Sequence, residues 1–435
     1  MLCLLTALGS YGDVYPVIKL GAALAERGHR VKLLANPYFA EPIERAGLEL
    51  VPVSTPEAYE RLTHDRRLWH PLLGLRVIFR WAATEAMPDI YQALERLHEP
   101  GETVIGAHPL DFASRVAAEA LGANVTSIVY APMTVWSDDS PPRLPGGLAG
   151  LGWPRWWNRM MLTVGELLVE RRSITGRINA FRAQKGLGRI GRVYPDWAFG
   201  TGHTLCLYPE WFGPTPIDLP GEFDTSGFPL GGEPDAPLDA GLEAFLQAGD
   251  APIVFTPGTA NRAGRAFFAA ALDACRRLGA RGVLLTKYPE QLPDPLPDYA
   301  HWASLAPLGP LLSRSAAFVH HGGIGSSAQG LAAGAPQLIQ PMAFDQLDNA
   351  HRLIELGVAE ELLPRAFTGA AVAAALSRLL GSTDTARQCE DLAARCDSKA
   401  ALDEACESLE RRVGIPTTPA KPVTKHLAAT FAKLA

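Results

Sequence analysis

No run of apolar residues in this sequence is long enough to cross a bilayer. The most apolar later stretch, Leu148 to Val169, is broken by Pro154, Arg155, Asn158 and Arg159, whereas a spanning helix needs about 20 predominantly apolar residues. A signal segment is not expected either. Met1-Leu-Cys-Leu-Leu has no basic flank and meets Gly9 almost at once, which reads as a first buried strand. The six cysteines (Cys3, Cys206, Cys275, Cys389, Cys396 and Cys406) contain no CxxC pair. Their scatter argues against a disulfide framework or a zinc site and fits buried thiols in a reducing, cytoplasmic setting. Neither sign of charge dominates: 40 Lys and Arg face 46 Asp and Glu, a net −6. No global field therefore draws nucleic acid, although a local anion site stays open. No internal repeat is visible.

What is present is a globular composition, 47% hydrophobic and 20% charged over 435 residues, enough for two domains with separate cores. Short apolar runs alternate with amphipathic segments, the pattern of α/β architecture with parallel sheets. Strands are expected at Leu2–Leu8, Val31–Ala35, Thr103–Ile105 and Val125–Tyr130, then at Ile253–Thr256, Val283–Thr286, Ala316–Val319 and Gln337–Gln340. Gly9-Ser-Tyr-Gly-Asp13 is expected as a loop, with Pro16 opening the first helix. The Pro/Gly-rich stretch containing Gly227-Phe-Pro-Leu-Gly-Gly-Glu-Pro234 marks a linker. The expected division is a first domain over 1–225, a linker over 226–239, a second domain over 240–412 and a loose basic tail over 413–435. Two such halves leave a cleft between them, where small ligands usually bind.

The densest chemical signal is His320-His-Gly-Gly-Ile-Gly-Ser-Ser327, between an expected strand and an apolar helix. Gly323 and Gly325 would let a phosphate approach the backbone, and the helix amides would favour a diphosphate. Ser326, Ser327 and the histidines would add donors. The plain alternative is a glycine-rich turn that binds nothing. Further on, Asp345 and Gln346 would face the same cleft at the end of a parallel strand. A carboxylate and an amide together can read sugar hydroxyls, while Asp345 could equally cap the next helix.

Together these segments resemble the donor signature of the family 1 nucleotide-sugar glycosyltransferases. It spans Leu305-Ala-Pro-Leu-Gly309, the double-histidine run, Ala333-Gly-Ala-Pro-Gln337 and Asp345-Gln346. Ala7-Leu-Gly-Ser-Tyr-Gly-Asp-Val-Tyr-Pro16 is similar to the family's acceptor-side loop, which includes Ser10. Within the family the chain is most similar to the rhamnosyltransferase chain of bacterial rhamnolipid synthesis, through Gly28-His-Arg-Val31, Asp65-Arg-Arg-Leu-Trp69, Gly227-Phe-Pro229 and Val254-Phe-Thr-Pro-Gly258. The resemblance implies the GT-B fold, two facing Rossmann-like domains, with the acceptor in the first and the nucleotide sugar in the second. It implies diphosphate contacts from His321, adjacent His320, Ser326 and Thr259, and sugar contacts from Asp345 and Gln346. Leu305 stands where many relatives stack a Trp on the base, so the base would lean on Leu305, Ala306 and Leu308.

The resemblance further implies inverting transfer with Asp13 as general base, although Asp13 could also serve only as a helix cap. No D-x-D triplet occurs, so no metal ion and no cofactor are expected. The favoured donor is dTDP-rhamnose and the favoured acceptor a hydroxyl on an apolar molecule such as a hydroxyacyl lipid. A UDP-glucose enzyme acting on a hydrophobic natural product is the alternative. Eight of the nine tryptophans precede Phe212, and Trp136 in Met133–Met161 could line an apolar acceptor groove or lie on a membrane surface. Weak association of the tail with lipid or a partner enzyme is a minor expectation. A nucleotide-sugar isomerase lacks identifiable extra carboxylates, and a non-catalytic partner should have lost the donor-loop residues retained here. A nicotinamide dehydrogenase is disfavoured because Gly9-Ser-Tyr-Gly12 is not G-x-G-x-x-G.

Overall fold

The computed structural model describes residues 1–69, 73–143, 150, 152–199, 202–230, 237–259 and 261–413. The expected tail beyond 413, Pro145 with its neighbouring glycines, and linker residues 231–236 lie outside the described residues.

Two parallel sheets form, one in each half. The first holds β1 (Leu2–Ala7), β2 (Arg30–Ala35), β3 (Glu49–Pro52), β4 (Thr103–Ala107), β5 (Asn124–Val129), β6 (His203–Cys206) and β7 (Glu222–Thr225). Their order is β3-β2-β1-β4-β5-β6-β7. The second holds β8 (Ile253–Thr256), β9 (Gly282–Leu285), β10 (Ala300–Ala303), β11 (Ala317–His320), β12 (Gln337–Ile339) and β13 (Ala359–Glu361), in the order β10-β9-β8-β11-β12-β13. Strands β1, β4, β5, β8 and β11 are buried along their whole length. Helices cover both faces, so these segments read as continuous apolar runs rather than alternating ones. Strand order reverses between β1 and β4 in one sheet and between β8 and β11 in the other. In such sheets the crevice beyond the carboxyl ends at the reversal is the natural ligand position. The eight expected strands all form. Five further strands form without a continuous apolar run to mark them: β3, β7, β10 and β13 lie at the sheet edges and are partly exposed, and β6 begins His-Thr.

The first helix corrects an expectation. It runs Tyr11–Glu26, with Ser10 as its N-cap and Pro16 inside it. A capping box decides this: the Ser10 side chain and the Asp13 carboxylate each bond the other's end of the first turn. Pro16 is tolerated because it removes a partner only from the carbonyl of Gly12, which lies exposed in that turn. Gly9 sits at φ 131°, and a Cβ there would lie 2.3 Å from Asp13 Oδ2, so only glycine fits.

The last described helix is Ser398–Glu410. It crosses back, burying Ala405, Cys406 and Leu409 in a core shared with Leu5, Val17, Leu20 and Leu24 of the first half. Arg27 and His29 both bond Glu410 from that side. The halves are also joined at the Gln346–Glu355 helix. Arg352 Nε donates to Asp348 at 2.8 Å, Arg352 Nη1 donates to the Phe212 carbonyl at 3.0 Å, and the Arg143 amide donates to Asp348 Oδ1 at 2.8 Å. All six cysteines are free thiols, and only Cys396 is not fully buried. Among the described residues no helix is long and apolar enough to cross a membrane.

Candidate active site

In the first half, the loops leaving β1 and β4 meet at the reversal point. Asp13 lies in the first turn after β1. Its Oδ2 accepts from the Ser10 amide at 2.7 Å and the Ser10 hydroxyl at 3.1 Å. Its Oδ1 is left facing His108 Nε2 at 3.6 Å. Capping and a chemical role therefore use different oxygens, and the two readings of Asp13 are compatible. Ser10 is thereby tied to Asp13 and caps Gly12. Beside them Tyr11, Tyr15, Tyr38, Phe39 and Tyr59 pack ring against ring, with centroids 4.8–6.1 Å apart. Tyr15 and Tyr38 stay exposed. Lys287, just past β9, places its ammonium 4.3 Å over the Tyr11 ring, so the halves face each other here. The sequence reading missed this aromatic group. Its signal was the presence of aromatics directly after β1 and β2.

In the second half, the turn after β11 meets the turn after β8. His321 is held between two glycines: a Cβ on Gly258 would lie 2.9 Å from its ring, and one on Gly323 would lie 2.6 Å from Nε2. Its Nδ1 is buried without a hydrogen-bond partner among the described residues. Burial pushes its pKa down to about 4, so at neutral pH it is an uncharged donor. The helix Ile324–Ala332 starts at Gly323 with no side-chain cap, leaving first-turn amides to another acceptor. Gly325 is exposed, with open space where a Cβ would stand. Ser326 is half-buried at this rim, and Thr259 is exposed on the neighbouring turn.

Two expected contacts are not brought to the site. His320 is fully buried, stacked on Phe318 at 4.4 Å. Its Nε2 pairs with Gln337 Oε1 at 2.8 Å, and its Nδ1 accepts from the Gly322 amide at 3.0 Å. Both nitrogens thus hold the turn and none is left for a ligand. Ser327 is also fully buried and points into the domain. Alternating exposure around the turn, which a linear motif hides, separates His321 and Ser326 from these neighbours.

Asp345 and Gln346 open the next helix from the same end of the sheet. The Asp345 side chain makes no cap bond. Instead, Asn349 Nδ2 donates to it at 2.7 Å, and the Ile324 amide also favours its charge. Gln346 is buried, and its Oε1 accepts from the Met342 and Ala343 amides at 2.8 and 3.1 Å. Only its Nε2 remains to donate. The preceding Phe344 sits at φ 57°, an unfavourable backbone for a bulky residue that places Asp345 toward the helix start. Burial, assisted by the Asp13 charge, raises the Asp345 pKa to about 6. With a folded value above the unfolded one, the protonated carboxyl stabilises the fold below about pH 4, and this is lost as pH rises through 6. Asp345→Asn should therefore stabilise the protein by roughly 2–3 kcal/mol at pH 7.5, a gain that shrinks toward zero as pH falls from 6 to 4. Urea unfolding across that range measures it, and a pH-independent difference would contradict the assignment.

Leu305 is largely exposed, with Ala306 and Leu308 half-buried behind it. Trp136 is half-buried, stacked on Tyr194 at 6.0 Å beyond the end of β5. The other tryptophans divide: Trp81 and Trp197 are core residues, whereas Trp153 and Trp156 are exposed.

Two parallel-sheet domains, with the glycine turn of His321 on one and Asp13 on the other, have the architecture of the GT-B glycosyltransferases. Comparison with known proteins agrees. Residues 3–135 match the glycosyltransferase family 28 N-terminal domain, and residues 273–411 match the erythromycin biosynthesis protein CIII-like C-terminal domain. The chain is 30% identical to glycosyltransferase GtfC of Amycolatopsis orientalis, covering 89% of this chain and 92% of that one. It is 28% identical to the O-mycaminosyltylonolide 6-deoxyallosyltransferase of Streptomyces fradiae, covering 96% and 99%. The spinosyn rhamnosyltransferase SpnG, solved with thymidine diphosphate, superposes with a TM-score of 0.66 at 20% identity, over 94% of this chain and all of that one. The chain belongs to the GT-B nucleotide-sugar glycosyltransferases, with an EryCIII-like C-terminal domain.

Proposed function

We propose that the chain transfers a 6-deoxyhexose, with rhamnose favoured, from its dTDP form to a hydroxyl of an apolar natural product, with inversion and without a metal ion. The observation that carries this reading is the opposition of two reversal points: Asp13 Oδ1 on one side, and His321, Gly325 and Ser326 on the other. Two relatives support the donor class, one named for deoxyallosyl transfer and one rhamnosyltransferase solved with thymidine diphosphate. The exposed tyrosines at the mouth suit an apolar acceptor that carries a few polar groups.

In this mechanism the acceptor hydroxyl gives its proton to Asp13 Oδ1 as its oxygen attacks the anomeric carbon. The carbon–oxygen bond to the diphosphate breaks on the opposite face. The amides after Gly323, Ser326, Thr259 and neutral His321 hold the departing oxygens, a fixed electrostatic contribution. Asp345 accepts from sugar hydroxyls while Gln346 Nε2 donates to them. The base rests against Leu305, Ala306 and Leu308.

Thermal shift with dTDP, UDP and GDP tests the donor site, since a ligand at 100 times its Kd adds about 2.7 kcal/mol. His321→Ala should weaken dTDP by about 1–3 kcal/mol, whereas His320→Ala should lower stability first. Absence of any shift with all three nucleotides would sink the reading. A hydroxyacyl lipid acceptor is the second reading. It is favoured by exposed Trp156, Met160, Val164, Leu167 and Leu168 on one helical stretch, with exposed Trp153 just before it. Turnover of dTDP-rhamnose with a macrolactone or with a hydroxyacyl lipid decides between them.

A further inference from the structure

We infer that His108 is the positioning residue of the catalytic carboxylate: its Nε2–H holds Asp13 Oδ1 toward the cleft while Ser10 holds Oδ2. This rests on the reading of Asp13 as general base. His108 follows β4 directly, and β4 pairs with β1 at the reversal point with Leu5 opposite Gly106. The histidine backbone is anchored to β1 because its amide donates to Thr6 Oγ1 at 2.8 Å.

The tautomer follows from one hydrogen bond. The Leu110 amide donates to His108 Nδ1 at 3.0 Å, so Nδ1 carries a lone pair and the ring proton sits on Nε2. Nε2 is buried, and among the described residues it has no hydrogen-bond partner. The polar group it faces is Asp13 Oδ1, at 3.6 Å. That separation is slightly longer than a hydrogen bond, and contacts of this kind tighten in the substrate complex. The ring cannot swing away: it is 5% exposed and packs on Tyr130 with centroids 5.4 Å apart. Asp13 is thus bonded at Oδ2 by Ser10 and faced at Oδ1 by His108, from two different strand ends. A carboxylate held only at Oδ2 by its own helix cap could rotate Oδ1 out of line, and misplacement of about 1 Å can cost 10²-fold in rate.

The test uses the full chain, with dTDP-rhamnose or UDP-glucose, whichever it binds, and water as acceptor in single-turnover hydrolysis. His108→Leu should lower the rate about 10–100-fold with dTDP affinity unchanged within twofold. His108→Gln, whose Nε2–H reaches nearly as far, should restore the rate to within fivefold of the parent. If the Leu variant does not fold, His108→Asn replaces it, polar but too short to reach Asp13. In an Asp13→Asn background the His108 change should cost less than twofold, because its target is gone. A silent His108→Leu beside a crippled Asp13→Asn overturns the proposal alone. Equal loss in the Gln and Leu variants also overturns it. A silent Asp13→Asn instead removes the base reading on which it stands.

Discussion

Replacing Asp13 by Asn should lower kcat by roughly 10²–10⁴-fold, the contribution of a positioned base. The fold should survive. Asn can still offer one oxygen to the Ser10 amide that Asp13 Oδ2 now accepts from at 2.7 Å, so the first turn stays capped. Nucleotide affinity should be unchanged, because His321 and Gly325, proposed to hold the diphosphate, belong to the other sheet. What is lost is the second acceptor: the amide nitrogen would take the place of Oδ1, cannot receive a proton, and sets N–H against N–H at His108. If Asp13 served only as a cap, turnover would stay within about threefold, since Asn and Asp cap about equally well. Single-turnover measurement separates these outcomes even where product release limits kcat.

Arg352→Met should destabilise the protein by about 3–5 kcal/mol, the usual consequence of removing one partner from a buried ion pair. The Arg352 and Asp348 side chains are 4% and 2% exposed, and they meet at 2.8 Å. Their remaining valences reach the first half through the Phe212 carbonyl and the Arg143 amide. Losing the guanidinium strands a buried carboxylate at this contact between the halves. At roughly 2–4 °C per kcal/mol for domains of this size, the midpoint should fall by about 6–20 °C. The double change Arg352→Met with Asp348→Leu should recover much of the loss, since an apolar pair does not strand a charge. A single variant within about 1 kcal/mol of the parent would show that the pair does not couple the halves.

The local features were legible because they depend on neighbours in the chain. Continuous apolar runs give Leu2–Ala7 and Ile253–Thr256 as interior strands, and glycines beside a strand end mark the turn that holds His321. Features that depend on the path of the chain in space were not legible. The two adjacent histidines look alike in sequence, but the turn directs His320 into the core against Gln337 and leaves His321 between Gly258 and Gly323. Ser398–Glu410 is an ordinary amphipathic helix whose apolar face could have packed on either half. Its docking on the first depends on Arg27, His29 and Asp224, which are far from it in sequence. His108 stands alone between Ala107 and Pro109, and nothing nearby marks it. Its relation to Asp13 arises because β4 returns to lie beside β1, which brings residues about a hundred positions apart to one reversal point. The sequence by itself determined the class of fold, the glycine turn that carries His321 and the turn after the first strand that carries Asp13. Which side chains face that cleft was decided only by tertiary structure, because strand pairing and burial are set by contacts between residues distant along the chain.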